Sequence, residues 1–305
     1  MKYIQLCLAV MFAAVAACSA KTEIPQAVQE SPYFLAQDAV IDVDGVTARY
    51  RSEGPEDAQP IVMVHGFSSS LETWDALAAD LSADYRVIRV DLPGHGLTGP
   101  DPQARYTNDD TVTFLENFIA ATGLENPVLV GNSLGGLVSW RLAANTPDAV
   151  SGLVLIAPGG FSINGVTETP VEVPMMVKFY LTKAPEAGVK QATAALYGDP
   201  AKLTDARAQS VLDMMTRPGN GDAFVARAAA FTLPDPAADL AKVTTPSLII
   251  WGEKDIMVPA DHSDKFIAAM PNAGLKIYKN TGHVPQEETP EKLAADIRAF
   301  LSPAE

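Results

Sequence analysis

The sequence predicts an α/β fold: a mostly parallel, eight-stranded sheet with helices on both faces and an inserted helical cap. Two strand-like segments, 40–43 and 46–51, flank Asp44-Gly45, a dipeptide that favours the tight turn of a hairpin. Six further runs are short and continuously apolar, as strands buried on both faces of a sheet should be. They are residues 61–64, 86–90, 128–130, 153–156, 247–251 and 275–278.

Helical patterns separate most of the apolar runs, so that successive parallel strands can be joined by crossover helices. These patterns cover residues 74–81, 111–121, 137–144, 264–269 and 291–301. The alternation indicates a doubly wound sheet. In such a sheet, functional sites lie on loops at the carboxyl ends of the strands.

Between residues 160 and 240 the alternation of strands and helices stops, and only helical patterns follow. They cover residues 174–181, 189–196, 203–215 and 222–230. We interpret residues 160–240 as a helical cap, so that residues 37–159 and 241–305 form the two parts of the core. Apolar cap residues either line an acyl pocket or pack the cap's own core. They include Met175, Met176, Phe179, Met214, Met215 and Phe231.

A Gly-x-Ser-x-Gly pentapeptide, residues 131–135, lies between an apolar run and a helical pattern. A serine on such a sharp strand-to-helix turn has a strained backbone, and the glycines avoid collisions with the neighbouring strand and helix. The turn presents the hydroxyl at the sheet edge. Ser133 is therefore a candidate nucleophile, the alternative being an ordinary turn serine.

A nucleophilic serine requires a histidine that accepts its proton and an acid that orients the histidine. Of the four histidines, His65 and His95 precede Ser133, and His262 lies at a helix start, where it reads as a surface residue. His283 follows the last apolar run, and we expect it to be the base. Asp255 follows the run 247–251 and is the expected acid; Glu253 is the nearby competitor.

These motifs, in this order, resemble the α/β-hydrolase family, in the large group with a His-Gly oxyanion turn. The matching segments are residues 65–67, 91–96, 131–136, 251–255 and 282–283. The resemblance implies Ser133 as nucleophile, Asp255 as orienting acid and His283 as general base. It further implies an oxyanion hole made by the backbone N–H groups of Phe67 and Leu134, and no metal or organic cofactor.

The resemblance also implies supporting roles for polar residues beside the site. His65 and His95 shape turns in the family rather than transfer protons, and Asp91 fixes the turn of residues 93–96.

The implied activity is hydrolysis of short or medium acyl esters, as in esterases and lipases. A carbon–carbon bond hydrolase of the meta-cleavage product type, or a lactonase, uses the same triad and is the alternative. A non-catalytic binding protein on the same scaffold is the third reading. In each case the partner is a small hydrophobic molecule.

The N-terminus predicts export. Lys2 and the apolar, alanine-rich residues 4–17 are typical of a signal peptide, here residues 1–17. Residues 15–18 end in Cys18 and resemble a bacterial lipobox, which implies acylation of Cys18; an ordinary signal with a coincidental cysteine is the alternative. Residues 18–36 are predicted to be a flexible tether. The expected location is the bacterial cell envelope, lipid-anchored at the periplasmic face of the outer membrane, or secretion into the periplasm.

The charge of the chain excludes some partners. A formal net charge of −15 with a pI near 4.6 disfavours nucleic-acid binding, which needs basic patches. The same charge disfavours electrostatic attraction to anionic lipid, so an acyl anchor is the expected link to a membrane. The oligomeric state has no signature in the sequence.

Overall fold

The computed structural model describes residues 22–302. Within this range one sheet contains β1 (Asp38–Val43), β2 (Val46–Glu53), β3 (Pro60–Val64), β4 (Arg86–Val90), β5 (Val128–Asn132), β6 (Gly152–Ile156), β7 (Ser247–Gly252) and β8 (Ala273–Tyr278). The strand order is β1-β2-β4-β3-β5-β6-β7-β8. The β1–β2 and β2–β4 pairs are antiparallel, and all other pairs are parallel. The predicted eight-stranded α/β fold is confirmed.

From β3 onward the helices alternate with the strands, except in the segment between β6 and β7. They are α1 (Gln26–Gln29), α2 (Asp75–Leu81), α3 (Asn108–Ala121), α4 (Leu134–Asn145), α5 (Met175–Lys183), α6 (Glu186–Ala194), α7 (Asp205–Thr216), α8 (Asn220–Ala230), α9 (Ala237–Leu240), α10 (His262–Ala269), α11 (Pro285–Glu288) and α12 (Pro290–Leu301). Short 3-10 turns cover Leu71–Trp74, Pro147–Ala149 and Pro200–Lys202. None of the helices in the described range has the length and apolar character needed to cross a membrane.

Two hydrophobic layers enclose the sheet because successive side chains of a strand point to opposite faces. In β3, Ile61 and Met63 face α2 and α12, whereas Val62 and Val64 face α3, α4, α9 and α10. All four side chains are fully buried. This two-sided burial explains why the parallel strands read as continuous apolar runs rather than as alternating patterns.

Helices α5–α8 form the cap, and they follow β6 at the edge where the parallel strands end. The cap has its own small core, which includes Leu181, Val211 and Phe224. Helix α9 does not belong to the cap: it packs on α4 and α10, and Leu240 is buried in the main core. The core therefore resumes before the predicted boundary at residue 240.

The predicted tether of residues 18–36 is wrong for its described part. Ile24, Val28 and Phe34 pack with Leu97 and with Met214 of α7. The side chains of Arg49 and Arg51 donate to the backbone carbonyl of Tyr33. A few apolar residues spaced among glutamines and prolines are enough to pack this segment on the body. The polar composition of the segment does not indicate this packing. The predicted signal peptide (residues 1–17) and Cys18 lie outside the described residues.

Candidate active site

Ser133 lies on the sharp turn between β5 and α4. Its φ of 55° and ψ of −113° are strained for a residue with a side chain. The glycines on either side make the turn possible: a Cβ on Gly131 would lie 2.4 Å from the carbonyl oxygen of Gly135, and one on Gly135 would lie 2.0 Å from that of Val64. The serine side chain is partly exposed at the carboxyl edge of the sheet.

His283 and Asp255 meet on neighbouring loops at the same edge. His283 Nδ1 lies 2.7 Å from Asp255 Oδ2, and both residues are buried. The second carboxylate oxygen of Asp255 accepts from the backbone N–H groups of Met257 (2.8 Å) and Val258 (3.0 Å). Because ionised Asp255 can only accept, the imidazole donates from Nδ1 and keeps Nε2 as its proton acceptor.

Glu253, the competing acid, does not approach His283 in this arrangement. It is exposed, and its carboxylate accepts from the backbone N–H of Asn280 at 3.2 Å. The structure therefore brings Asp255, and not Glu253, to the candidate base.

Asn132 ties the serine turn to the histidine loop, a role that the sequence analysis did not identify. Its side-chain amide donates to the backbone carbonyls of Ile156 (3.1 Å) and His283 (3.0 Å). Its carbonyl oxygen accepts from Gln286 Nε2 at 3.2 Å. All of these groups are buried, so the bonds fix the spacing between the residue before Ser133 and the backbone of His283.

The two expected oxyanion donors belong to segments that meet at Ser133. Gly66 packs directly on the serine, since a Cβ there would lie 3.2 Å from Ser133 Cβ. Within the described chain, the N–H groups of Phe67 and Leu134 donate to no backbone carbonyl. Leu134 is the first residue of α4, where helix N–H groups are free and the helix dipole favours negative charge. This arrangement can stabilise an oxyanion.

Two buried histidines shape the turns behind the oxyanion donors. His65 donates from Nδ1 to the carbonyl of Gly66 (2.7 Å), and its Nε2 accepts the N–H of Leu92 (3.0 Å). Burial lowers the pKa of His65 to about 4 and holds that of His95 well below its usual value. Both rings are therefore neutral at pH 7, which suits a structural role better than proton transfer.

Asp91 fixes the neighbouring turn, as the resemblance implies. Its carboxylate accepts from the N–H groups of Leu71 (2.8 Å) and Leu97 (2.9 Å). A side chain on Gly96, whose φ is +49°, would collide with this carboxylate at 2.2 Å. The residues 91–97 are therefore a rigid support for the Gly66–Phe67 turn.

We expect the folding stability to depend on pH through His65. The pKa of His65 is lowered from 6.5 to about 4 by burial, so between these values the unfolded chain binds a proton that the folded chain does not. The associated stability is present above pH 6.5 and is lost as the pH falls towards 4. The difference in unfolding free energy between wild type and His65→Gln should shrink by about 2 kcal/mol from pH 7 to pH 5. Urea unfolding of both proteins at pH 7 and pH 5 measures this change. A difference that stays constant between the two pH values would contradict the lowered pKa of His65 in the folded chain.

The cap holds the histidine loop through a segment between α6 and α7, residues 196–199, which we name the cap turn. The N–H of His283 donates to the carbonyl of Leu196 at 2.7 Å. The buried carboxylate of Glu288 accepts from the N–H groups of Gly198 (2.9 Å), Asp199 (3.2 Å) and Gly282 (2.5 Å). The cap turn therefore binds the backbone of His283 directly, and it is linked to the preceding Gly282 through the carboxylate of Glu288.

A largely buried ion pair adds a second link between the cap and the histidine loop. Arg207 of α7 donates from Nε and Nη2 to the two oxygens of Glu287, each at 2.9 Å, and Tyr197 and Thr73 donate to the same carboxylate. Burial alone would raise the pKa of Glu287, but the Arg207 guanidinium and these hydrogen bonds lower it. The sequence carries no local signal for a pair separated by 80 residues.

Other expectations need correction. His262 is buried at the start of α10 and packs against the ring of Phe161, so it is not a surface residue. Met215 packs in the cap's own core, as one of the two alternatives predicted, whereas Met214 packs with Val28 and Leu97. Phe231 packs on the main core. The first part of α5 follows neither alternative: Met175, Met176 and Phe179 are exposed.

The described residues offer no metal-binding group. Among residues 22–302, no three His, Cys, Asp or Glu side chains cluster in a way that could hold an ion.

The chain is similar to several known proteins over most of its length. Residues 59–290 match the sequence profile of a family described as alpha/beta hydrolase fold. The dihydrolipoyllysine-residue acetyltransferase component of the acetoin cleaving system of Pseudomonas putida is 31% identical over 265 residues, which cover 85% of this chain and 68% of that protein. The 2-hydroxy-6-oxononadienedioate/2-hydroxy-6-oxononatrienedioate hydrolase 2 of Pseudomonas putida is 29% identical over 253 residues, which cover 81% and 88%. The crystal structure of a serine hydrolase involved in carbazole degradation superimposes with a TM-score of 0.76 at 26% identity, covering 87% of this chain and 98% of that one.

Proposed function

The chain belongs to the α/β-hydrolase fold family and is a hydrolase, and on that premise we propose that it hydrolyses carboxylic esters through an acyl-enzyme on Ser133. One observation carries the proposal: the 2.7 Å hydrogen bond between His283 Nδ1 and Asp255 Oδ2, on loops at the sheet edge that presents Ser133. A histidine oriented in this way can act as a general base towards a serine.

Acylation follows from the placement of these groups. His283 Nε2 takes the proton of Ser133 as Oγ attacks the ester carbonyl, and the N–H groups of Phe67 and Leu134 receive the developing oxyanion. The tetrahedral intermediate then collapses, the bond to the leaving oxygen breaks, and the imidazolium of His283 protonates the departing alcohol. Asp255 stabilises the imidazolium while it exists.

Deacylation repeats the same steps with water as the nucleophile. His283 takes a proton from water, the resulting hydroxide attacks the acyl carbonyl, and Ser133 recovers its proton when the acid leaves. The same residues therefore serve both halves of the reaction.

A carbon–carbon bond hydrolase is the second candidate, because one relative is named as a hydrolase of dienedioates, which are dianions. Arg207 is one cap cation close to the loop after Phe67, where its Nη2 lies 3.3 Å from Ser69 Oγ. It is already paired with Glu287. A neutralised guanidinium favours an uncharged ester over a dianionic substrate.

We also propose that the chain is exported and held on the bacterial cell envelope by acylation of Cys18, at the outer membrane. The lipobox-like residues 15–18 support this, together with the position of Thr22, the first described residue, at the protein surface. An acyl chain holds a protein on a membrane surface without any spanning helix.

The test of the mechanism is covalent labelling of the purified full-length chain with a fluorophosphonate. We expect an adduct on Ser133, located by peptide mass spectrometry, that is absent in Ser133→Ala and strongly reduced in His283→Ala. The exposed Ser302 serves as a control position for non-specific labelling. A folded wild type that remains unlabelled would refute the serine-hydrolase mechanism. Turnover of p-nitrophenyl butyrate, compared with that of a dienol ketone, then separates the two candidate activities.

A further inference from the structure

Helix α5 of the cap presents an apolar face to solvent. Met175, Met176 and Phe179 are 77%, 75% and 51% exposed, whereas Leu181 on the opposite side is buried in the cap core. Residues three and four apart lie together on a helix surface, so these three side chains form one patch. We name it the α5 patch. A contiguous exposed apolar surface of this kind marks an interaction site.

The N-terminal chain leaves the structure on the same side of the molecule as the cap. The hydroxyl of Thr22 accepts from the N–H of Asp42, near the end of β1. Tyr50 of β2 pairs with Val90, the last residue of β4, so the hairpin between β1 and β2 projects beyond the carboxyl ends of the parallel strands. The cap is inserted at that edge, after β6. Residues from Ile24 onward also pack on Met214 of α7.

Cys18 lies only four residues before Thr22, so a lipid on Cys18 would be at most about 14 Å of extended chain away from the described body. An anchor that short would keep the cap edge of the sheet close to the bilayer. The charge of α5 suits a position at a membrane surface, where lysines are attracted to anionic lipid. Lys178 and Lys183 are the only charged residues of α5, although the chain as a whole has a net charge of −15.

We propose that the α5 patch docks on a lipid bilayer, with Met175, Met176 and Phe179 inserted at the boundary between headgroups and acyl chains. An N-terminal lipid brings the chain to the bilayer, and an apolar helix face adds buried area that holds the cap against the membrane surface. Because α5 packs on α8, whose Phe224 contacts the ring of Phe67, docking brings the bilayer to the cap beside the candidate oxyanion donors. The placement of the cap rests on the proposed lipid at Cys18, and the proposed ester hydrolysis enters only because the bilayer then becomes the source of the ester.

A tryptophan reporter tests the docking directly. The native Trp74, Trp140 and Trp251 are all buried, so a tryptophan introduced by Phe179→Trp is the exposed one. With the full-length chain on phosphatidylcholine vesicles, we expect its emission to shift to the blue and to be quenched by lipids brominated in the acyl chains. Ile277→Trp, at an exposed position on the edge strand β8, is the matched control and should show neither change.

Emission from Phe179→Trp that is indifferent to brominated lipid would overturn the proposal. A blue shift that appears without vesicles and grows with protein concentration would also overturn it, since a second copy of the chain would then cover the patch. Neither readout depends on catalysis, so a failure of the proposed function would leave this measurement intact.

A charge placed in the patch tests the consequence for substrate delivery. The double variant Met175→Glu/Met176→Glu should hydrolyse a short soluble ester at the wild-type rate, but an ester dissolved in vesicles at least about tenfold more slowly. Equal rates on the vesicle substrate would overturn the docking. Wild type that turns over neither ester would refute the ester hydrolysis alone, since the fluorescence readout stands apart from it.

Discussion

Asp255→Asn is expected to lower kcat/KM for an ester by about 10⁴-fold while leaving the fold intact. The new amide can still accept the N–H groups of Met257 and Val258 through its oxygen. Its NH₂ group, however, would face His283 Nδ1 and donate to it. The imidazole proton would then move to Nε2, the atom that must accept the proton of Ser133.

The matched control for this variant is Glu253→Gln, two residues away and exposed. It should keep activity within about twofold of wild type, because surface substitutions away from buried networks have small effects. Steady-state kinetics on p-nitrophenyl butyrate measure both variants, and urea unfolding confirms that they fold. A loss smaller than tenfold for Asp255→Asn would show that another residue orients the base.

Glu287→Leu is expected to lower the free energy of unfolding by about 3 kcal/mol, because it leaves the largely buried Arg207 guanidinium without its counter-ion. Arg207→Leu should cost less, since Tyr197 and Thr73 still donate to the Glu287 carboxylate. The double variant removes both charges together. Its cost should therefore fall short of the sum of the two single costs.

Urea unfolding of the four proteins in this double-mutant cycle provides the test. The exposed pair Lys190–Asp205, which joins α6 to α7 at 2.6 Å, is the matched control, and Lys190→Ala should change stability little. Strictly additive costs for Arg207 and Glu287 would contradict the view that the ion pair is one unit.

The site could be predicted from the sequence where its residues follow local rules. Ser133 sits on a turn that only Gly131 and Gly135 permit, and Asp255 and His283 each follow a strand that ends at the same sheet edge. Chain order and strand direction therefore sufficed to predict that Asp255 and His283 meet.

Contacts between distant segments could not be predicted in this way. Glu288 binds Gly198 across 90 residues, and such a pairing leaves no periodic trace in either segment. The prediction for the N-terminal segment was wrong for a related reason. Val28 and Phe34 are too few to form a recognisable pattern, yet both pack in an apolar cluster with residues of the body. The start of α4 was predicted three residues late because glycines 135 and 136 are poor helix formers, whereas the packing of the serine turn holds them in the helix.

Because of the cap turn, the inserted segment supports the candidate base as well as covering the site. The carbonyl of Leu196 and the N–H groups of Gly198 and Asp199 bind the loop of His283 and its neighbour Glu288. An insertion that only covered a pocket could be exchanged between relatives or shortened to a linker. In this chain a replacement cap would need its own equivalent of residues 196–199. Without it, the loop of His283 would lose the hydrogen bonds that the cap turn supplies. The cap turn therefore supports the loop of His283 as well as joining two helices of the cap.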